Sequence, residues 1–473
     1  MYPGELDDVL SLVAAEARRY LENLDERPLL TAGSEAAARS LGGPLPEEGE
    51  GALVALKELL ETGIEASVAS SGPRMFHFVT GGVTPAALGA DWLTSTLDQS
   101  GFAWVGSPLS AELERVSIAW LLDLFELPEG WGGVLTTGAT MANFTALAAA
   151  RRWWGERHGT DVDADGLAGL PPVPVFSSGY VHATAYKALG MLGVGRSAVR
   201  VLAHDDAGRL DVVALERELE ELGGAPAIVI ANAGEVNAGD FDPIDVAADL
   251  AERYGAWLHV DGAFGLFARV SPRTAELAAG VERADSVIAD GHKWLNVPYD
   301  CGFAFVRNPA ALAHTFVASA AYLPAEDPAR PNYGFMTPET SRRARSIAVW
   351  ATLRAYGRSG YRELVERNLD HAQHVAKWVD EADDLERLAE VPLNIVPFRY
   401  RPPGFPEEKL NELNSRLGEA VLADGRVFVG TTQYRGKVCF RPAFVNWRTR
   451  TGDVDQLVAV VRELGAGLAG ARA

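Results

Sequence analysis

The chain has 473 residues, of which 48% are hydrophobic and 23% charged, so it can bury a large core and form two or three domains. Its 64 acidic residues outnumber 43 basic ones, and the formal net charge of −21 argues against binding to nucleic acid or to anionic membranes. With only Cys301 and Cys439, and no apolar run of membrane-spanning length or signal-peptide character, the composition predicts a cytoplasmic protein without disulfide bonds.

The first predicted elements are two helices. Apolar residues recur at helical spacing in residues 8–24 and again in 52–64, and a serine, glycine and proline break at 70–73 follows them. We therefore expect residues 1–84 to form a helical arm.

Seven short apolar runs follow, and helical runs separate them. These predicted strands are residues 133–135, 173–176, 199–203, 227–231, 256–260, 286–289 and 302–306. Alternation of this kind predicts an α/β fold in which helices cover both faces of a mostly parallel sheet. The predicted large domain comprises residues 85–355.

The last segment, residues 356–473, is predicted to form a small α+β domain. Residues 361–379 have one apolar helical face, and we expect His371 and His374 to be solvated rather than to bind a metal. Strands are expected within 392–400 and 426–440, with a closing helix at 454–464. The chain lacks the histidine and cysteine spacings that are typical of zinc sites, so no metal is predicted.

Small residues follow the first predicted strand. Gly138, Ala139 and Thr140 precede an alanine-rich helical run. Small residues let the backbone approach an anion, and the N–H groups at a helix start carry partial positive charge, so this turn suits a phosphate. The alternative is an ordinary helix start that Thr140 caps without a ligand.

Two more predicted strands end in polar side chains. Asp261 directly follows the apolar run 256–260, and ligand sites of open parallel sheets lie at the carboxyl ends of strands. A carboxylate there would pair with a cation or, alternatively, cap the next helix. His259 precedes it on the same strand face and is interpreted as structural or supporting. His182, after the second strand, would lie over an aromatic ligand or would simply begin a helix.

Lys293 follows the predicted strand 286–289 and is flanked by glycine, histidine and tryptophan. A lysine amine becomes a useful nucleophile toward carbonyls when it is partly removed from water. The pattern therefore predicts a lysine that holds an aldehyde as a Schiff base. The alternative is a strand-end lysine that extends into solvent.

Taken in chain order, as the glycine turn at 138–140, His182, Asp261 and Lys293, the four motifs resemble those of the group II pyridoxal-phosphate-dependent amino acid decarboxylases, most closely the aromatic-L-amino-acid decarboxylase branch. The likeness runs from about Ser71 to the C-terminal region. It implies the aspartate aminotransferase-like fold, fold type I of the enzymes that use this cofactor. It also implies roles for eight residues: Lys293 holds the aldehyde, Asp261 pairs with the pyridine nitrogen, His182 stacks on the ring, Ala263 packs beneath it, and Gly138, Ala139, Thr140 and His292 hold the phosphate.

The same resemblance suggests a substrate pocket and a partner subunit. Phe78, Val79, Phe102 and Trp104 are the predicted pocket residues, and residues 101–108 resemble a segment that approaches the neighbouring subunit's site, which implies a homodimer. Tyr322 resembles the family's loop tyrosine, which protonates the substrate α-carbon after carbon dioxide leaves.

We therefore predict α-decarboxylation of an L-amino acid, preferably aromatic, to the amine and carbon dioxide. The alternatives are an aldehyde synthase that couples decarboxylation to oxidative deamination, a decarboxylase of an acidic or diamino acid, and a cofactor-binding regulatory protein without turnover. The chain departs from the family pattern at two places. Glu235 and Val236 replace two threonines, so a hydroxyl that often lies near the cofactor is missing. Gly81 stands where animal relatives have a threonine that could meet a catechol hydroxyl, so recognition of a dihydroxylated ring is not implied. Arg441 would meet a substrate carboxylate or form a structural ion pair.

Overall fold

The computed structural model describes residues 3–317, 327 and 329–470. The chain divides into two compact units. The first unit comprises Met1–Gly82, His374–Ala389 and Val396–Ala473, and the second comprises Val83–Gln373 and Glu390–Ile395. The division into 1–84, 85–355 and 356–473 stays a prediction of domain organisation.

The first unit begins with helices α1 (Leu6–Glu22), α2 (Ser34–Ser40) and α3 (Ala52–Ala66). The two helices expected at 8–24 and 52–64 are therefore present, whereas α2 was not predicted. The arm contacts the C-terminal part of the same unit, because the Leu29 N–H donates to the Gly425 carbonyl at 2.8 Å.

The second unit contains the central sheet. Its strands are β1 (Gly132–Thr136), β2 (Val175–Ser177), β3 (Val199–Val201), β4 (Ile228–Asn232), β5 (Trp257–Asp261), β6 (Ser286–Asp290) and β7 (Gly302–Val306). The strand order is β1-β7-β6-β5-β4-β2-β3. Strands β2 to β6 pair in parallel, and β7 is antiparallel to both of its neighbours. The mostly parallel sheet and all seven expected strands are thus confirmed.

The register of these strands brings several chain segments to one edge of the sheet. Asp261 of β5 pairs with Ile288 of β6. Thr136 of β1 and Asp290 of β6 both pair with Gly302, the first residue of β7. The segments that follow β1, β5 and β6 therefore leave the sheet at the same edge.

Helices of the second unit are α4 (Pro85–Leu97), α5 (Pro108–Leu124), α6 (Ala139–Glu156), α7 (Ala183–Met191), α8 (Val212–Glu221), α9 (Ile244–Tyr254), α10 (Ala310–Phe316) and the first part of α11 (Ser346–Glu381). The starts of α4 and α5 follow from sequence. Thr84 and Ser107 accept N–H groups of the first turns at 3.4 Å and 3.2 Å, and proline occupies the first helical position in each case.

The core of this unit lies between α6 and the sheet. Ala146, Leu147 and Trp154 of α6 are buried together with Ile228, Ile230 and Ile288 of the strands. The alanines of α6 are small, so this helix can approach the sheet closely. That approach matters for the site, because α6 begins at the edge where the strands end.

In the first unit, the chain continues with β8 (Leu385–Arg387), β9 (Phe398–Tyr400), α12 (Leu410–Asp424), β10 (Thr431–Tyr434), β11 (Lys437–Phe440) and α13 (Thr451–Gly470). The strands form a sheet in the order β10-β11-β9-β8. Strands within 392–400 and 426–440 and the closing helix are confirmed, whereas β8 and α12 were not predicted.

One expectation about the histidines was wrong. His371 is buried, at 5% exposure, because it lies on the packed side of α11. His374 is exposed, as expected, and its Nε2 lies 2.7 Å from an Asp455 carboxylate oxygen. Within the described residues, no group of three acidic, histidine or cysteine side chains could hold a metal ion. The helices of the same residues include none with the length and apolar character needed to cross a membrane.

Candidate active site

Lys293 lies in a π-helical turn, Gly291–Leu295, directly after β6. Its Nζ is 3.3 Å from an Asp290 carboxylate oxygen and 5.6 Å from the centre of the Phe264 ring. The turn ends at Asn296, which has a left-handed backbone conformation (φ 58°). The side-chain amide of Asn296 donates a hydrogen bond to the Trp294 carbonyl at 2.9 Å and so holds this conformation. The amine is therefore held in place and mostly removed from solvent, as a nucleophile toward carbonyls requires.

His292 lies between the lysine turn and a neighbouring loop. Its ring stacks on Tyr299 with 4.4 Å between centroids, and its Nδ1 is 2.8 Å from the Cys301 carbonyl oxygen. Since a carbonyl can only accept, Nδ1 donates. Burial lowers the pKa of His292 below its usual value, against the opposing effect of Asp290.

The turn before α6 packs against this histidine. A Cβ added at Gly138 would lie 3.3 Å from His292 Cε1 and 3.5 Å from Asp290 Oδ1. Gly138 has φ 142°, and a Cβ added at Gly302 would lie 2.6 Å from Gly138. Both positions therefore require glycine. Among the described residues, no side chain caps the start of α6, so the N–H groups of its first turn keep their partial positive charge for an anion.

Asp261 is buried at 6% exposure and both of its oxygens accept hydrogen bonds. The Ala263 N–H donates to Oδ1 at 3.2 Å, and the Asn143 amide donates to Oδ2 at 2.9 Å. The Ala263 carbonyl in turn accepts the Asp290 N–H at 2.8 Å. This backbone bond connects the aspartate segment to the lysine turn.

His182 caps the start of α7. Its Nδ1 accepts the Thr184 N–H at 3.3 Å and lies 2.8 Å from the Thr184 hydroxyl. The side chain is otherwise exposed at the same edge of the sheet, since β2 lies beside β4. It therefore caps its own helix while its side chain stays exposed.

The predicted pocket residues lie in both units. In the second unit, the Phe102 ring packs edge-on against the Phe335 ring, with 5.3 Å between centroids. The backbone N–H of Trp104 donates to Asn332 Oδ1 at 3.1 Å. In the first unit, Phe78 and Val79 have positive φ angles of 58° and 59°. Strained non-glycine backbone of this kind is concentrated at functional sites. Tyr322 lies outside the described residues.

Arg441 belongs to the first unit and acts on His77. Burial lowers the pKa of His77 to about 4, and the positive charge of Arg441 acts in the same direction. The Gly430 N–H donates to His77 Nδ1 at 3.2 Å. The imidazole is thus neutral at pH 7, and Arg441 supplies the positive charge that acts on it.

Sequence reasoning did not assign roles to three residues that the structure places here. Asp290 is buried, and its Oδ1 has no hydrogen-bond partner among the described residues. Asn143 joins Asp261 to His259. Glu235, which replaces a family threonine, accepts the N–H groups of Asn237 and Ala238 and so stabilises its own turn. A buried polar residue inside a helix, as at Asn143, was the one signal available.

A family model for the pyridoxal-dependent decarboxylase conserved domain matches residues 44–401. The chain belongs to this family. It is 29% identical over 453 residues to an aromatic-L-amino-acid decarboxylase of Bacillus atrophaeus, covering 94% of this chain and 92% of the relative. It is 32% identical over 432 residues to an L-2,4-diaminobutyrate decarboxylase of Rhizobium meliloti (strain 1021), covering 89% and 83%.

Among solved structures, Oryza sativa TDC with PLP and tryptamine superposes with a TM-score of 0.90 and covers 99% of each chain. At 24% identity, this likeness shows the fold alone. The decarboxylase therefore has the predicted fold type I, and as a member of this family it is a pyridoxal-phosphate-dependent amino acid decarboxylase.

The residues of this decarboxylase fit pyridoxal phosphate. The glycine turn at the start of α6 offers space and N–H donors for the phosphate, Asp261 offers a buried carboxylate for a protonated pyridine nitrogen, and Lys293 offers an amine for the aldehyde. The buried Asp290 Oδ1, which faces Gly138 and has no partner among the described residues, can only accept, so a water rather than the phosphate would satisfy it.

Proposed function

We propose that this decarboxylase converts an aromatic L-amino acid to its amine and carbon dioxide. The observation that carries the proposal is the fixed aromatic side chain at Phe102. Its carbonyl accepts the Gly334 N–H at 2.8 Å, and a Cβ added at Gly334 would collide with its ring. A rigid, partly exposed aromatic ring suits an aromatic substrate. The aromatic relative from Bacillus atrophaeus supports the same substrate class.

The proposed roles of the site residues follow from their positions. When bound, pyridoxal phosphate supplies an electron sink for the charge that decarboxylation leaves on the α-carbon. Lys293 would hold its aldehyde group, and Gly138, Ala139, Thr140 and His292 would hold its phosphate. Ala263 would pack beneath the ring and His182 would cover its other face. Asp261 would keep a proton on the pyridine nitrogen, because the buried carboxylate favours the neighbouring cation.

A second substrate class is supported by Arg441. Its positive charge acts on the neutral His77, whose ring lies 3.8 Å from that of the exposed Phe78. A guanidinium is the side chain best suited to pair with a second carboxylate, so an acidic substrate is the alternative that this observation favours. The relative from Rhizobium meliloti adds L-2,4-diaminobutyrate as a further class to test.

The exposed apolar surface of the second unit supports a homodimer. Large side chains that lie close in sequence are between 44% and 78% exposed: Trp92, Leu93, Leu97, Val105 and Leu109. Several large apolar side chains exposed in neighbouring segments are the kind of surface that a protein interface covers. We propose that a second copy of the chain covers these apolar side chains. We also propose that the enzyme is cytoplasmic, in keeping with two buried free cysteines. Light scattering tests the dimer, and an active monomer would contradict it.

The substrate is tested by incubating the purified enzyme and pyridoxal phosphate with aromatic, acidic and diamino acids. Carbon dioxide, amine, aldehyde and peroxide are measured for each substrate. We expect fastest release of carbon dioxide from an aromatic amino acid, with amine as the main product. Faster turnover of an acidic or diamino acid would overturn the aromatic assignment. Tight cofactor binding without carbon dioxide from any of them would indicate a regulatory protein.

A further inference from the structure

A chain of hydrogen bonds runs through the buried core to Asp261. The Trp257 indole N–H donates to the Ser286 hydroxyl at 3.0 Å, and Ser286 lies 2.8 Å from His259 Nδ1. His259 Nε2 lies 2.8 Å from Asn143 Oδ1, and Asn143 Nδ2 donates to Asp261 at 2.9 Å. An indole can only donate and the carboxylate here accepts, so one set of proton positions satisfies every bond. In this set the Ser286 hydroxyl donates to His259 Nδ1, and the proton on His259 Nε2 is donated to Asn143 Oδ1. All donors in this set point toward Asp261.

Asn143 also begins a second branch. Its Nδ2 donates to the Thr184 hydroxyl at 3.2 Å, and that hydroxyl lies 2.8 Å from His182 Nδ1. The Thr184 backbone N–H donates to the same nitrogen, so Nδ1 is the acceptor. The hydroxyl proton therefore points at Nδ1, and the neutral ring carries its proton on Nε2. Both amide hydrogens of Asn143 are in use, one in each branch.

We propose that Asn143 is a positioning residue that holds Asp261 and His182 ready for the cofactor at the same time. The inference rests on the cofactor roles proposed above for those two residues. Through one branch, the amide fixes the orientation of the carboxylate that faces the pyridine nitrogen. Through the other, it orients the Thr184 hydroxyl toward the histidine that covers the ring. Asn143 itself need not touch the cofactor.

An asparagine is the side chain that this position requires. It offers one acceptor for His259 and two donors for Asp261 and Thr184, whereas aspartate has no donor when ionised and an aliphatic residue has none of the three. Asn143 and His259 are both fully buried, so bulk water does not compete for these bonds in the wild type. Bonds in such a chain also strengthen one another in the dry interior.

The first experiment measures cofactor binding to Asn143→Ala. We expect the dissociation constant for pyridoxal phosphate to rise about tenfold or more, and the visible absorbance of the bound cofactor to shift in the same direction as in Asp261→Asn. The matched control is Asn414→Ala, because Asn414 is an equally buried asparagine of the first unit that bonds only backbone groups of Leu410 and Tyr400. The control should lose stability without changing the absorbance.

Thr184 keeps the proposal testable if Asn143→Ala does not fold. Thr184→Val preserves shape but breaks the second branch, and Thr184→Ser restores the hydroxyl. Imidazole ¹⁵N NMR, with the His182 signals identified by their loss in His182→Gln, should show protonation on Nε2 in the wild type and in both Thr184 variants, because the Thr184 backbone N–H still donates to Nδ1. The Nδ1 signal should keep its position in Thr184→Ser and move in Thr184→Val, which loses the bond from the hydroxyl. An unchanged His182 spectrum in Thr184→Val would overturn this branch.

The outcomes also separate this inference from the proposed function. If the wild type binds pyridoxal phosphate and Asn143→Ala binds it with the same affinity and absorbance, the positioning role is wrong while the site stands. If the wild type does not bind the cofactor, both fail. Asn143→Ala could instead bind the cofactor more weakly while its absorbance stays unshifted, as the absorbance does in the Asn414→Ala control. That result would indicate a merely structural residue and would also overturn the proposal.

Discussion

Acid should destabilise this protein through His259. The ring is fully buried, and burial lowers its pKa from 6.5 to about 4, against the opposing effect of Asp261. In the unfolded chain the imidazole is exposed and titrates near 6.5. Between these pH values the unfolded protein binds a proton that the folded protein does not. The free energy of unfolding is therefore fully maintained above pH 6.5 and falls as the pH decreases toward 4.

The size of the effect follows from the two pKa values. Linkage gives a loss of about 2 kcal/mol between pH 7 and pH 5, and of about 3 kcal/mol by pH 4. His259→Gln keeps an amide donor for Asn143 but has no proton to gain. It should lower stability at pH 7, because the bond from Ser286 is lost, and yet lose about 2 kcal/mol less than the wild type between pH 7 and pH 5.

Urea unfolding at both pH values, followed by tryptophan fluorescence with saturating cofactor, measures this difference. Other buried groups cancel in the comparison, since Asp242 and Asp285, whose pKa values burial raises, are present in both proteins. If the two proteins lose the same unfolding free energy between pH 7 and pH 5, the reasoning about His259 is refuted.

Three other variants test the site and its support. Lys293→Ala should abolish the visible absorbance of the bound cofactor and almost all turnover, whereas Lys409→Ala, on an exposed surface, should change neither; normal turnover without Lys293 would refute the assignment. Arg342→Met should cost about 3–5 kcal/mol in urea unfolding, because it leaves the buried Glu114 carboxylate without its partner at 2.8 Å, and adding Glu114→Leu should restore part of that loss. Tyr322→Phe, at a position outside the described residues, should slow amine formation and raise aldehyde and peroxide output; an unchanged product ratio would exclude Tyr322 as the proton donor.

The central sheet was predictable because six of its seven strands are buried on both faces, β3 at the sheet margin being the exception. The buried strands read as short, mainly apolar runs, and flanking helices separate most of them in sequence. Strand β8 (Leu385–Arg387) could not be found in this way, because two of its three residues are charged. It forms by pairing with β9, and that pairing is a tertiary effect that a local pattern does not contain. The burial of His371 was missed for the same reason.

The candidate site was predictable where it depends on chain order. Asp261 is the last residue of β5 and Lys293 lies three residues after the end of β6, and parallel strands bring such residues to one edge. Asn143 carries no signal of this kind. Its partners Thr184, His259 and Asp261 are all far away in sequence. Only the packing of α6 on the sheet therefore reveals its role.

That packing explains how one amide can hold two residues of the same strand. His259 and Asp261 are two positions apart, so their side chains leave the same face of β5 about 6.6 Å from each other. An amide is long enough to span this gap only if its helix lies close to the sheet. Ala142 and Ala146, fully buried on either side of Asn143, are small enough to allow the approach. The alanine-rich core of α6 therefore does more than fill space, because its packing distance sets the geometry of the carboxylate that faces the cofactor.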